Sequence, residues 1–323
     1  MRRILMIFSL LLLVITASAS DVVTVTISDG IESPSIKAKM ERQMSALLTE
    51  ANAAYEAHRA MKYASLGIGD DVQTSLSMLW DNSPFVCLDT EIVEHCLSTS
   101  SGYQIRNLPL QLVDAEEGEG YQEAVINFDK QGNMTSFRLS ISTNLYMNVI
   151  KSNLELTDLR RRQLILDYVE QFRTAYNQKD MDFLKAVFSD DALIITGKVI
   201  QRKTADGIRL PDKIEYKKQT KQQYITNLSN VFSRNRFIRV TFDEIEVTRH
   251  PVNVNYYGVT LHQGYSSDRY HDDGYIFLLW DFTDETHPLI HVRTWQPDTY
   301  NKDGKGNKRI SKDEIFSLSD FDI

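Results

Sequence analysis

Between Phe237 and Pro297 the chain holds four strand-like stretches. FIRVTFDEIEVTRH, VNVNYYGVTLHQG and PLIHVRTWQP alternate apolar or β-branched residues with polar ones, GYIFLLWDF is an apolar run of strand length, and short polar breaks separate the four. Period-two alternation marks strands with one buried face, so four stretches in succession predict an antiparallel meander. A sheet of this kind must be covered on its apolar side, which makes the helices upstream part of the same unit.

Those helices are visible. Thr157 or Asp158 can cap a segment in which Ile165, Tyr168, Val169, Phe172 and Tyr176 mark one face. NQKD breaks it, MDFLKAVF forms a short second helix, and SDDALIIT turns into a strand. A basic loop with Gly and Pro spans Lys198 to Lys213, and a third helix is expected from Lys218 to Phe232. Nearer the start, Val22 to Ile27 alternates as a strand. Ser33-Pro34-Ser35 opens a helix with Ile36, Met40, Met44, Leu47, Leu48, Ala51 and Tyr55 on one stripe. Gly67 and Gly69 are expected to end it, and Asp70 or Asp71 to cap a shorter helix through Trp80. PFVCL, YQIRNLPLQLV and a hairpin turning at Asp129 to Asn133 then read as sheet. The expected fold class is α+β in two domains: 21–152, helices followed by a mainly antiparallel sheet, and 153–300, with a tail over 301–323 that ends in an extended segment.

Residues 1–20 carry a leader signature: Arg2 and Arg3, an apolar run from Ile4 to Ile15 broken by Ser9, and Ala17-Ser18-Ala19. The run is too short to span a bilayer, so it reads as a signal peptide cleaved near Ala19, with an exported, periplasmic or secreted product and no transmembrane segment. The formal net charge is −8, and no basic stripe follows the leader, which argues against nucleic acid as a partner. Cys87 and Cys96 are close enough in sequence for a disulfide in an oxidising compartment, with two buried thiols as the alternative. The acidic run DAEEGEGYQE reads as a solvated loop.

AYNQKDMDFLKAVFSDDALIIT, with a helix before it and the meander after it, resembles the NTF2-like superfamily, which includes ketosteroid isomerase, scytalone dehydratase and SnoaL cyclases. The resemblance covers residues 155–297 and implies a cone in which helices pack on a curved antiparallel sheet around a pocket. The whole chain also resembles exported proteins of Bacteroides-type bacteria. SLSMLWDNSPFVC echoes FLKAVFSDDALII, so the first domain can be read as a diverged copy of the second.

In the last hairpin His291, Arg293 and Trp295 alternate, which places them on one strand face. If Trp280 opposes His291, their neighbours are Ile276, Leu278 and Trp280; a slip of one residue substitutes Tyr275, Phe277, Leu279 and Asp281. In an NTF2-like pocket Asp281 and His291 would be acid–base candidates, and Arg293 would hold an anionic or enolate-like oxygen. Tyr257, His262, Trp280, Arg293 and Trp295 are the ligand-binding candidates, for a small apolar or aromatic ligand. Ordinary packing stands beside this: Arg293 paired with Asp281 or Glu244, His291 a satisfied core histidine, Trp295 a core aromatic.

SSDRYHDDGY holds Asp268, His271, Asp272 and Asp273, a set that could ligate a divalent metal but reads more simply as an inter-strand loop. NKDGKGNKRISKDE lacks the ligand spacing of a calcium loop, with Ile310 or Lys312 where the terminal glutamate belongs. No metal and no cofactor is implied, and no nucleophile elbow, phosphate loop, dinucleotide fingerprint or H-E-x-x-H helix is present. The expected function is an exported binding or interaction protein with a pocket domain. The alternatives are a cofactor-independent isomerase, dehydratase or cyclase, and a structural module that dimerises through its sheet.

Overall fold

A computed structural model describes residues 22–99, 101–113, 120–151, 156–207 and 209–321. The leader 1–20, residues 114–119 of the acidic run, the side chains of Thr157 and Asp158, and Ile323 lie outside them.

β1 (Thr24–Ile27) precedes α1 (Pro34–Glu56), in which proline's fixed φ suits the first helical turn. Met40, Met44, Leu47, Leu48 and Ala51 are buried as their spacing predicts, and Ala54 rather than Tyr55 completes the inward face. The helix stops well before Gly67, because His58 takes a left-handed φ of 48° and closes it. α2 (Asp70–Asn82) carries Asp70 and Asp71 in its first turn, where acids complement the helix dipole, but the cap position is Gly69. β2 (Phe85–Val86), β3 (Glu91–Glu94), β4 (Cys96–Ser98), β5 (Gly102–Leu112), β6 (Tyr121–Asp129) and β7 (Met134–Leu139) follow. β1 and β3 form a parallel ribbon, while the others make an antiparallel sheet in the order β2-β5-β6-β7, with β4 also on β5. The expected hairpin joins β6 to β7: the Asp129 carboxylate accepts the Gln131 and Asn133 N–H groups, and Gly132 takes φ 72°.

Cys87 and Cys96 are not bonded; both are buried free thiols. The reason is register. Val86 opposes Gln111, which puts Cys87 level with Leu110, and Cys96 opposes Ile105 on the same strand, a separation of roughly 17 Å at about 3.3 Å per residue, where a disulfide needs Cα atoms about 4.4 to 6.8 Å apart. Burial pushes the Cys87 thiol up and the Cys96 thiol up to about 11, so both stay protonated.

α3 (Thr143–Lys151), which the alternation did not signal, leads to α4 (Leu156–Asn177) and α5 (Met181–Ala186). Lys179 at φ 57° closes α4, and the Asp180 carboxylate caps α5 by accepting the Phe183 N–H. β8 (Phe188–Lys203) and β9 (Arg209–Thr220) then form a long hairpin where a loop was expected. β9 pairs on one side only and its lysines are exposed, so its composition is that of a loop although its backbone is paired. α6 (Lys221–Arg234) begins at a reciprocal capping box between Thr220 and Gln223 and buries Tyr224, Leu228 and Phe232.

β10 (Ile238–Arg249), β11 (Tyr256–Ser267), β12 (Tyr270–Asp281) and β13 (Leu289–Pro297) are the expected meander. They join β8 and β9 in one sheet ordered β10-β11-β12-β13-β8-β9, in which only β13 and β8 run parallel. SSDRYHDDGY is therefore not a loop: Ser267 already pairs with Tyr270, and His271, Asp272 and Asp273 belong to β12. β14 (Thr299–Tyr300) and β15 (Lys308–Arg309) form a small ribbon in the tail. The terminal segment takes 3-10 turns at Lys312–Glu314 and Leu318–Asp320 instead of running extended.

The buried apolar residues fall into two main clusters, from Val23 to Leu139 and from Ile141 to Ile290. α4 lies between them. Its Ile165, Val169, Phe172 and Tyr176 enter the second cluster, while Asp167, Glu170, Arg173, Thr174 and Asn177 form a polar stripe at helical spacing. That stripe reaches the first sheet: Glu170 pairs with buried Arg106, Asp167 with Arg138, and Thr174 accepts the Leu139 N–H. Arg173 donates to the carbonyls of Ser140 and Val240 and to Gln122. The two sheets are wired differently. β2 pairs antiparallel with β5, whereas β8 pairs parallel with β13, so the shared phrase before each strand does not make one sheet a simple copy of the other.

Candidate functional site

The last hairpin decides which residues share a face. Ile276 opposes Trp295 and Leu278 opposes Arg293, as in the first of the two expected registers, but Trp280 opposes Ile290 because a β-bulge intervenes at His291. The extra residue turns His291 to the same side as Val292. Val292 packs outside the sheet with Phe277 and Leu279, while Ile290 lies in the core on the other side. His291, Arg293 and Trp295 therefore do not act on one face. Arg293 and Trp295 look into the concavity; His291 looks out.

Asp281 does join His291, as the slipped register would have had it. Its Oδ2 lies 3.5 Å from His291 Nε2, Asp191 Oδ1 lies 3.7 Å from Nδ1, and the Tyr256 ring stacks on the imidazole at 5.9 Å. This cluster is on the outer face, with His291 about one quarter exposed. The acid–base pair expected in the pocket is thus on the wrong side of the sheet for it. His262 is also on the outer face, with Nδ1 2.5 Å from the Asp243 carboxylate and Nε2 3.3 Å from that of Asp298, beside the Tyr275 ring. Trp280 and Tyr257 face inward but are fully enclosed: Trp280 packs on Tyr168 and Phe282, and Tyr257 on Phe282.

Of the expected ligand residues, Arg293 and Trp295 line the concave cavity. It measures about 770 Å³ and lies between α6 and the inward faces of β11, β12 and β13. Tyr176, Tyr224, Tyr265 and Tyr270 supply the rest of its aromatic wall. Gly274 lets Trp295 lie there, since a Cβ at that position would come within 2.9 Å of the indole. The Arg293 guanidinium sits 5.0 Å over the Tyr224 ring, a cation–π distance, and the residue is only 5% exposed. Its Nε and Nη1 have no hydrogen-bond partner among the described residues. The Tyr176 and Tyr224 hydroxyls share a short hydrogen bond beside it. Burial raises Tyr176 well above the ordinary phenol value and pushes Tyr265 up to about 12, so both remain neutral donors at physiological pH. Burial also raises the Asp272 carboxyl, with the Tyr270 hydroxyl donating to it at 2.9 Å.

Sequence reasoning missed Tyr176, Tyr224, Tyr265 and Asp272 as neighbours. Tyr176 was visible only as an apolar position of its helix, and Tyr224, 48 residues further on, was not singled out. Tyr265 and Asp272 were hidden by the misplaced loop. The alternation of Tyr265 with Gln263 would have found them had the strand been extended.

A second cavity of about 810 Å³ lies on the outer face between β10 to β12 and residues 309–319. The tail covers the sheet beside it. Phe316, Leu318 and Phe321 pack on Phe277, Leu279 and Val292, with Phe277 and Phe321 stacked at 5.4 Å. Gln296 pins this contact by donating to the Glu314 carbonyl and accepting the Phe316 N–H. The apolar outer face that a sheet-to-sheet dimer requires is therefore occupied by the chain itself. Asp268, His271, Asp272 and Asp273 do not converge: Asp268 accepts the Arg236 N–H, while His271 and Asp273 form an exposed pair at 3.3 Å. Among the described residues no group of three or more His, Cys, Asp or Glu side chains is placed to hold a metal, and no helix is long and apolar enough to cross a membrane.

No family model and no curated protein matches the chain. Solved structures similar to it include an NTF2-like protein from Cytophaga hutchinsonii, 14% identical over 42% of this chain and 98% of that one, with a TM-score of 0.29. ActVI-ORFA from Streptomyces coelicolor is 12% identical over 42% and 96%, at 0.30. Bd1075 of Bdellovibrio bacteriovorus is 13% identical over 63% and 74%, at 0.34. Likeness at these scores carries no argument about what this chain does, and the resemblance to Bacteroides-type exported proteins gains no support from it.

Proposed function

We propose that residues 153–300 are an NTF2-like pocket domain of an exported binding protein, and that the concave cavity between α6 and β11 to β13 holds a small ligand with a flat apolar or aromatic body. The observation that carries this is the cavity wall: Trp295, Tyr176, Tyr224, Tyr265 and Tyr270 surround one concave space of about 770 Å³, within the usual range of small-molecule sites. The element order of helix, short helix, hairpin, helix and meander supports the family reading, and the leader signature supports export. The test is titration of a panel of small aromatic compounds against protein labelled with ¹⁵N-tryptophan. A saturable shift of the Trp295 indole, with Trp80 and Trp280 steady, is expected; a panel that never moves Trp295 sinks the reading.

A cofactor-independent isomerase, dehydratase or cyclase is a second reading, and one observation favours it. Asp272, with its raised carboxyl, lines the same cavity as the mutually hydrogen-bonded Tyr176 and Tyr224 hydroxyls, which is a base and a proton donor in one place. Turnover abolished by Asp272→Asn with ligand affinity kept would move the function from binding to catalysis.

A further inference from the structure

Among the described residues Arg293 forms no ion pair, and it stands in the wall of a mostly aromatic cavity. It is 5% exposed, its Nε and Nη1 have no acceptor among the described residues, and what it does touch is neutral: the Tyr224 face and the Tyr176 hydroxyl. A buried guanidinium in that state costs stability unless something compensates it, and arginine keeps its proton in any protein environment. The remaining charges of the wall do not supply the need. Arg234 and Arg269 stand at the exposed mouth, and among the described residues Asp272, half-buried, is the single acid of the lining. The cavity is thus net positive within a chain whose formal charge is −8.

We propose that Arg293 is an anion site and that the ligand of this cavity is a flat aromatic carboxylic acid, its ring against Trp295 and Tyr224 and its carboxylate at the guanidinium. A monoanion fits better than a phosphate dianion, because one buried cation meets it and Asp272 opposes further negative charge. This rests on the pocket reading above and adds the ligand's charge to it.

The probes are 2-naphthoate and the neutral, near-isosteric 2-naphthamide, titrated calorimetrically and by the Trp295 indole resonance. Naphthoate should bind wild type roughly 10- to 100-fold more tightly than naphthamide, the worth of a charge-assisted hydrogen bond. Arg293→Gln should reduce that ratio to about threefold or less while keeping the naphthamide affinity. Asp272→Asn should strengthen naphthoate alone, and this arm stands even if Arg293→Gln fails to fold. Equal affinity of the two probes with Trp295 shifted overturns the anion site and leaves the pocket. No shift of Trp295 by either probe at millimolar concentration overturns both. A preference for naphthoate that survives Arg293→Gln overturns the role of Arg293.

Discussion

The buried pair Arg106–Glu170 offers the sharpest test of how the two cores are joined. Glu170 is fully buried and Arg106 is 3% exposed, with Nη2 and Nη1 at 2.5 and 3.3 Å from the carboxylate. Glu170 also accepts the Ile141 N–H at 3.0 Å, and the Arg106 guanidinium lies 4.1 Å over the Tyr146 ring. Glu170→Gln keeps the shape and can keep the Ile141 bond, so its main effect is to leave a buried guanidinium uncompensated. Breaking one side of a buried pair costs about 3 to 5 kcal/mol. Arg106→Met alone strands the carboxylate and should cost a similar amount. The double variant Arg106→Met/Glu170→Gln removes both charges, so the cycle should be non-additive by about 2 kcal/mol or more. Urea unfolding followed by circular dichroism measures all three. Because the pair sits on the seam between the clusters, the single variants should also split one transition into two, unlinking the cores. A cost below about 1 kcal/mol for Glu170→Gln, or additive single effects, would refute the reasoning.

The tail contact should be pH-sensitive. Hydrogen bonds from Lys302 and Ser311 hold the Glu314 carboxyl down to about 2 from the ordinary glutamate value of 4.5, so its contribution is present above pH 4.5 and is lost as pH falls toward 2. Ring resonances of Phe316 and Phe321 should move to free values over that window, and not between pH 5 and 8. At Gly258 a Cβ would fall 2.8 Å from both Leu318 Cγ and Phe277 Cε2. Gly258→Ala should therefore cost about 1 to 3 kcal/mol by overpacking, partly relieved by Leu318→Ala. Cys87 and Cys96 should both react with a thiol reagent in denaturant and neither in the native protein; a native mass two hydrogens short would contradict their assignment as free thiols.

Much of the fold was legible because its signals are local. The meander and the α1 stripe are set by residues within one element, and each stands where alternation or spacing puts it. What was hidden depended on partners. β9 is a strand because β8 pairs with it, and its lysines carry no trace of that. The polar stripe of α4 is buried because Arg106, Arg138 and Gln122 come from a sheet far away in sequence. Arg293 and Trp295 were found by alternation, but alternation also promised His291, and one bulge turned that residue through the sheet. Register slips of this kind leave composition unchanged, so the faces of a strand were readable only as far as the first irregularity.

The central claim is that binding belongs to the concave face and not to the histidine cluster behind it. Intermolecular nuclear Overhauser effects from bound 2-naphthoate test it directly. The structure predicts contacts to the Trp295 indole and the Tyr224 ring, with none to His291 or Tyr256. Contacts to His291 and Tyr256, with Trp295 silent, would contradict it.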